Sequence, residues 1–285
     1  MCDAAERCLA IGFFDGVHLG HQAILSGVDR VVTFRTHPLE YLAPERAPRL
    51  IMSLDERVAA IRSCGVGEVV LLDFDKTMAE MEPEEFLGLL RGQFLAGISF
   101  SVRCGDNWRF GQGGRGDAAY LRSRGIPVEV VGYAEYAGEK ISSSRIRRSL
   151  AAGEIEAASA MLGRPCVVRG HVQRGKGRGR EMGYPTLNVW PGRPLNLRLG
   201  VYAVDVVGCR GVANYGLAPT MGEAAWREPV LEVHVLEGET VESITDDIEV
   251  RLLSFIRDER TFDSPEDLKR QIAADCELAK RGVTR

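Results

Sequence analysis

Apolar positions in the first half of the chain fall in short continuous runs: "CLAIGFF" (8–14), "VVTF" (31–34), "EVVLLDF" (68–74), "SFSVRCG" (99–105) and "PVEVVGY" (127–133). Runs of this length, β-branched or continuous, predict the buried strands of a parallel sheet. Between them the period becomes helical, in "SLDERVAAIRSCG", "EPEEFLGLLRGQFLAG" and "GDAAYLRSRG". In the first of these Ser53 is the N-cap, Glu56 closes a capping box and Gly65 is the stop. Strand alternating with helix predicts a doubly wound, Rossmann-like α/β sheet whose ligands lie at the carboxyl ends of the strands. The helical pattern continues through "SSSRIRRSLAAGEIEAASAML", where Gly163 ends it and Pro165 prevents its resumption. The expected domains are therefore 1–162 and 163–285. Beyond Gly163 the strands crowd together as "CVVRGHV", "GVYAVDVVG", "GVANYG", "PVLEVHVLE" and "IEVRLLSFI". That spacing predicts a small antiparallel β-barrel. One substantial helix follows, "SPEDLKRQIAADCELAKRG", capped by Ser264 with Glu266 and Asp267 in its first turn.

A length of 285 residues suits two such domains. No apolar run reaches the roughly 18 residues of a membrane span, and "MCDAAERCLAIG" is acidic where an export signal would be basic. Seven scattered cysteines, with no C-x-x-C pair, fit packing thiols in a reducing cytoplasm. A net charge of −4 argues against a nucleic-acid partner, and nothing implies an obligate protein partner. Local cationic patches then read as sites for small anions. The strongest is "QRGKGRGREMG", where Arg174, Lys176, Arg178 and Arg180 alternate with Gly175, Gly177 and Gly179.

Chemistry concentrates first in "LAIGFFDGVHLGHQAIL". A strand running into a turn at Asp15 and Gly16, then a helix from about Gly20, sets His18 and His21 where backbone N–H groups favour an anion. Gly20 between them leaves space for a flat group such as a nucleobase. A metal site is the rival reading, weakened by the three-residue spacing and the lack of an obvious third ligand. A second anion holder is "KISSSRIRRSL": serines at a helix start, followed by Arg145, Arg147 and Arg148, cations that oppose the helix dipole unless something negative offsets them. In the second half, period two sets Thr186 and Asn188 of "PTLN" on one strand face, as neutral oxygens suited to Mg²⁺ that bridges nucleotide phosphates. It likewise sets Glu232 and His234 opposite Leu231, Val233 and Val235. A carboxylate at a barrel mouth can accept a proton from an attacking hydroxyl; an ordinary exposed Glu is the plain alternative.

"GFFDGVHLGHQ" with "ISSSRIR" resembles the H-x-G-H nucleotidyltransferases, most closely the adenylyltransferase module of bacterial bifunctional riboflavin kinase/FMN adenylyltransferases (FAD synthases). Gly170, Val172, Gly175, Gly179, Arg180, Gly183, Pro185, Thr186 and Asn188 match that family's kinase signature, so the resemblance covers essentially the whole chain. It implies that His18, Gly20 and His21 hold the phosphates and adenine of ATP, with Ser142, Ser143 and Arg147 gripping the triphosphate. "RCGDNWRFG" makes Asp106 and Asn107 candidate flavin contacts, the alternative being that Trp108 and Phe110 simply pack. In the barrel it implies that Gly175, Arg180, Thr186 and Asn188 bind Mg-ATP and that Glu232 is the base. The implied activity turns riboflavin into FMN and FMN into FAD, with ATP and Mg²⁺. Departures are Arg35 and Thr36 in "TFRTHP", a first helix of barely two turns, and Ala218 where a basic residue is usual; His37 keeps its place with no role assigned. Two other readings stay open: an adenylyltransferase whose barrel only binds flavin, and a flavin-binding regulator without catalysis.

Overall fold

A computed structural model describes residues 7–94, 99–173, 183–216, 229–236 and 247–281. Its contacts divide the chain into two compact units, Met1–Ser143 and Ser144–Arg285.

The first unit is built on five parallel strands, β1 (Arg7–Ile11), β2 (Arg30–Phe34), β3 (Glu68–Leu72), β4 (Phe100–Gly105) and β5 (Val128–Val131), in the order β3-β2-β1-β4-β5. Leu9 and Ile11 point to one face, packing with Val32, Phe86, Leu87 and Leu121. Ala10 points to the other, with Val31, Leu25 and Ile61. Both faces of β1 and β2 are covered, which is why their runs read as nearly unbroken apolar sequence. β4 instead alternates buried Phe100, Val102 and Cys104 with half-buried Ser101 and Arg103, and Val130 of the edge strand β5 is exposed. The order reverses between β1 and β4, so a crevice opens at their carboxyl ends.

Helices of this unit are α1 (Leu19–Leu25), α2 (Pro38–Leu42), α3 (Leu54–Ser63), α4 (Lys76–Glu80), α5 (Pro83–Leu89) and α6 (Ala118–Ser123). The capping box of α3 forms as the sequence predicts: Ser53 Oγ accepts from Glu56 N at 3.2 Å, and the Glu56 carboxylate accepts from Ser53 N at 2.7 Å. The expected helix from Glu82 stays α-helical only to Leu89, then widens into a π turn, Leu90–Phe94. The sequence reading contained neither α2 and α4 nor the hairpin of β6 (Glu135–Tyr136) and β7 (Glu139–Lys140). Segments of two to five residues carry too little periodicity to register.

In the second unit, the long helical stretch is two helices, α7 (Ser143–Ala152) and α8 (Ile155–Leu162). Gly153, at φ 84°, breaks it. Gly163 ends α8 in the left-handed conformation expected of it. Six antiparallel strands then close a barrel: β8 (Cys166–Gln173), β9 (Leu187–Trp190), β10 (Gly200–Val206), β11 (Cys209–Gly216), β12 (Val230–Val235) and β13 (Asp247–Arg257), ordered β10-β11-β12-β9-β8-β13. Tyr202, Ala213, Val233 and Leu187 stand in register on one face and are buried. On the opposite face Val201, Ala203 and Val212 are covered by Ile272, Cys276 and Ala279 of α9 (Pro265–Arg281). A buried ion pair fastens α9: Arg257 Nη2 donates to Asp275 at 2.7 Å. The turn between α7 and α8 packs on the barrel, since Asn196 Nδ2 donates to Arg147 O, Arg198 Nη1 donates to Ala152 O and Phe255 lies against Gly153.

Candidate active sites

After β1 the chain passes through three left-handed residues, Phe14 (φ 57°), Gly16 (φ 81°) and Val17 (φ 40°). A β-branched residue there is a genuine outlier, costing on the order of 1–3 kcal/mol. Burial offsets it: Phe14 and Val17 sit in the core with Leu25 and Ile61, and Gln22 Nε2 donates to Val17 O at 2.9 Å. This strained turn delivers His18 to the N-cap of α1, where its Nδ1 accepts from His21 N at 3.3 Å. With Nδ1 an acceptor, the ring's proton is on Nε2, leaving that nitrogen as a donor. His21 stacks on His18, centroids 3.6 Å apart and planes 18° apart. A Cβ on Gly20 would come within 3.2 Å of His18 Cε1. The glycine therefore makes room for the His18 ring.

Across the crevice, Asp106 and Asn107 form the exposed turn after β4, and Asp106 pairs with Lys140 at 3.2 Å. Phe110 belongs to the core and Trp108 stacks on it at 4.8 Å, so these two aromatics pack. Ser143 Oγ donates to Asp15 O at 2.8 Å. Its single hydroxyl hydrogen is thus engaged in tying α7's first residue to the turn. Arg147 lies one turn further along α7.

Three residues support the turn: Asp15, expected only as a turn residue; Arg57, which the sequence did not single out; and His37, which had no role assigned. Asp15 is buried and its carboxylate accepts from the backbone N–H groups of Ile51 and Met52, fastening the approach to α3 beneath the turn. Arg57 is 1% exposed, its guanidinium 3.7 Å above the Phe13 ring, with Nη2 donating to Phe34 O at 2.5 Å and Arg35 O at 3.3 Å. Its Nε and Nη1 are buried with no hydrogen-bond partner among the described residues. Burial lowers its pKa to about 10, while Asp15 and Glu40 pull it back up. His37 caps α2, Nδ1 accepting from Leu39 N at 3.2 Å, and meets Phe13 edge-on. On a helix period Arg57 looks like a solvated surface cation; only the fold turns it inward.

In the barrel the alternation holds. Leu187, Val189, Leu231 and Val233 are buried, while Thr186, Asn188, Glu232 and His234 are half-buried on the other face. That face is the outward side of the wall, not the mouth of the barrel. Register makes a polar row: Gln173 opposite Asn188, Asn188 opposite Glu232, Glu232 opposite Asn214. His234 Nδ1 lies 2.9 Å from Pro185 O, and Tyr184 meets its ring edge-on, holding the approach to Thr186. Gly175 and Arg180, with the rest of 174–182, lie outside the described residues, as does Ala218. Among the described residues no group of three or more His, Cys, Asp or Glu could hold a metal. Two neutral oxygens beside one carboxylate fit Mg²⁺, which keeps waters and shares nucleotide phosphates.

An H-x-G-H turn at a parallel-sheet switch point and a P-T-x-N strand on a closed six-stranded barrel define a two-domain, ATP-using phosphotransferase. The FAD synthetase family matches residues 2–145 and the riboflavin kinase family residues 162–283. The chain is 36% identical to the bifunctional riboflavin kinase/FMN adenylyltransferase of Escherichia coli (strain K12), over 97% of this chain and 92% of that one. It is 30% identical to the protein of the same name from Bacillus subtilis (strain 168), over 98% and 93%. A solved structure called a macrolide-efflux protein, from Streptococcus pneumoniae, matches with TM-score 0.83 and 28% identity, over 96% of this chain and 94% of that one. Among the described residues no helix is long and apolar enough to cross a membrane. The chain belongs to the bifunctional riboflavin kinase/FMN adenylyltransferase family. It phosphorylates riboflavin to FMN and adenylylates FMN to FAD with release of pyrophosphate, and the readings with one activity or none are set aside.

Proposed function

We propose that the two reactions use separate residue sets: adenylyl transfer the H-x-G-H turn with the start of α7, phosphorylation the polar row of the barrel wall. In the first, the FMN phosphate attacks the α-phosphorus of ATP in line and pyrophosphate leaves. His18 and His21 donate to the phosphate oxygens as charge moves onto them, Gly20 lies under the adenine, and Ser142, Ser143 and Arg147 grip the triphosphate. Ser143 does so through its backbone N–H at the start of α7, because its hydroxyl hydrogen is taken by Asp15 O. Asp106 and Asn107 line the flavin side. The nucleophile is already an anion, so positioning and charge stabilisation suffice. The observation that carries this reading is the pairing of the two imidazoles at the start of α1: His18 Nδ1 accepts from His21 N, which leaves the ring proton on Nε2, and the rings stack at 3.6 Å. The proposed domain boundary stays at 162/163, which keeps Ser142, Ser143 and Arg147 with the first activity.

In the second, Glu232 takes the proton of the ribityl hydroxyl as that oxygen attacks the γ-phosphorus, and ADP leaves. Thr186 and Asn188 would hold Mg²⁺ with the ATP phosphates, and Gly175 and Arg180, outside the described residues, are assigned to the same ATP. The ion supplies charge neutralisation on the transferring phosphoryl group. All partners are then small molecules, and the enzyme is cytoplasmic. The test is Asn188→Ala. ADP release should need at least tenfold more Mg-ATP, while pyrophosphate release from supplied FMN is unchanged; an equal change in both steps would refute separate sets.

A further inference from the structure

Asn214 had no place in the sequence reading, yet register sets it directly across from Glu232, as Asn188 is on the other side. Its Nδ2 donates to Glu259 Oε1 at 3.3 Å. That contact orients the amide, so Oδ1 is left as an acceptor. Glu259 Oε1 also occupies the space where a Cβ on Gly216 would stand, so the absent side chain at 216 is what lets the carboxylate lie against β11. Two residues before Glu259, Arg257 is clamped to Asp275 of α9, which fixes where the chain leaves β13. Among the described residues no cation pairs with Glu259, and the side chain is exposed. An exposed carboxylate is thus held, by a glycine gap and an amide, one strand away from the residue assigned as the base.

We propose that Glu259, steered by Asn214 and Gly216, is a specificity-determining residue of the kinase site: its carboxylate, with Asn214 Oδ1, accepts hydrogen bonds from hydroxyls of the substrate's polyol chain and turns away the phosphorylated product. Hydrogen bonds to a charged acceptor are stronger than neutral ones, and a neutral polyol offers only donors and weak acceptors to it. Once the chain carries a phosphate dianion, the same carboxylate is a like charge at short range. The pair thus favours riboflavin over FMN and speeds product departure. This rests on the placement of the kinase reaction at the Glu232 row.

The test uses the full chain and reads ADP release, which reports the kinase step alone because adenylyl transfer releases pyrophosphate. KM for riboflavin and competitive inhibition by added FMN are measured for Glu259→Gln and Gly216→Ala. Glu259→Gln should raise the riboflavin KM about tenfold and tighten FMN inhibition, with KM for ATP and the melting temperature unchanged; Gly216→Ala should repeat the shift by expelling the carboxylate. A merely structural role would move the ATP and riboflavin constants together. An unchanged ratio of riboflavin KM to FMN inhibition constant in Glu259→Gln overturns the proposal, whatever Gly216→Ala does. Glu232→Gln separates the two ideas: retained turnover there would sink the base assignment while the Glu259 ratio stays readable.

Discussion

The two units place their chemistry by opposite means. In the α/β unit the side chains proposed to act sit on a turn beyond a strand end, and their geometry depends on backbone held in rare conformations at Phe14, Gly16 and Val17 by a packed core behind them. In the barrel they sit within or next to regular strands, and register alone sets Asn188, Glu232 and Asn214 side by side. The first arrangement is sensitive to whatever supports the turn; the second is sensitive mainly to the side chains themselves. Damage to a residue that supports the turn's backbone should therefore fall on adenylyl transfer alone, while in the barrel losses should follow the site side chains and the residues that touch them.

The sharpest contrast is expected from Glu232→Gln. ADP release from riboflavin should fall by roughly 10²–10⁴, with FAD formation from supplied FMN unaltered. Next is Arg57→Ala, which removes a buried side chain and the donor to Phe34 O. It should destabilise the first unit by about 3 kcal/mol, read as earlier thermal loss of adenylyl transfer than of kinase activity. Simultaneous loss of both activities would mean that the units do not unfold separately. Gly20→Ala presses a methyl on the His18 ring and should slow adenylyl transfer about tenfold, an order-of-magnitude figure for a misplaced donor, without a change in ADP release. The smallest effect is that of Ser53→Ala, which removes the α3 cap at a cost of about 1 kcal/mol, measurable by urea unfolding with little change in either rate.

What could be read from the sequence follows the same division. Continuous apolar runs carry β1 to β5 and period two carries the barrel strands, because burial on two faces or one is written directly in residue type. Glu232 and Asn188 were legible as strand-face residues for that reason. Asn214 was not: its place beside Glu232 depends on the β11–β12 register, which alternation within one strand cannot give. Nor was Arg57, whose helix position reads as surface until Phe13 and the end of β2 enclose it. Asp15 was legible as a turn residue, but its two backbone bonds to Ile51 and Met52 span a separation that no local pattern encodes. His37 stood in a recognisable motif, and the structure gives it a helix-capping task.

The most direct measurement of the central claim, two reactions on two residue sets, is chromatography of riboflavin incubated with Mg-ATP and each of two variants. His21→Ala should accumulate FMN and form no FAD. Glu232→Gln should leave riboflavin unconverted and still turn supplied FMN into FAD. If either single substitution abolished both reactions in a chain that remains folded, the separation argued from the turn and the barrel wall would be wrong.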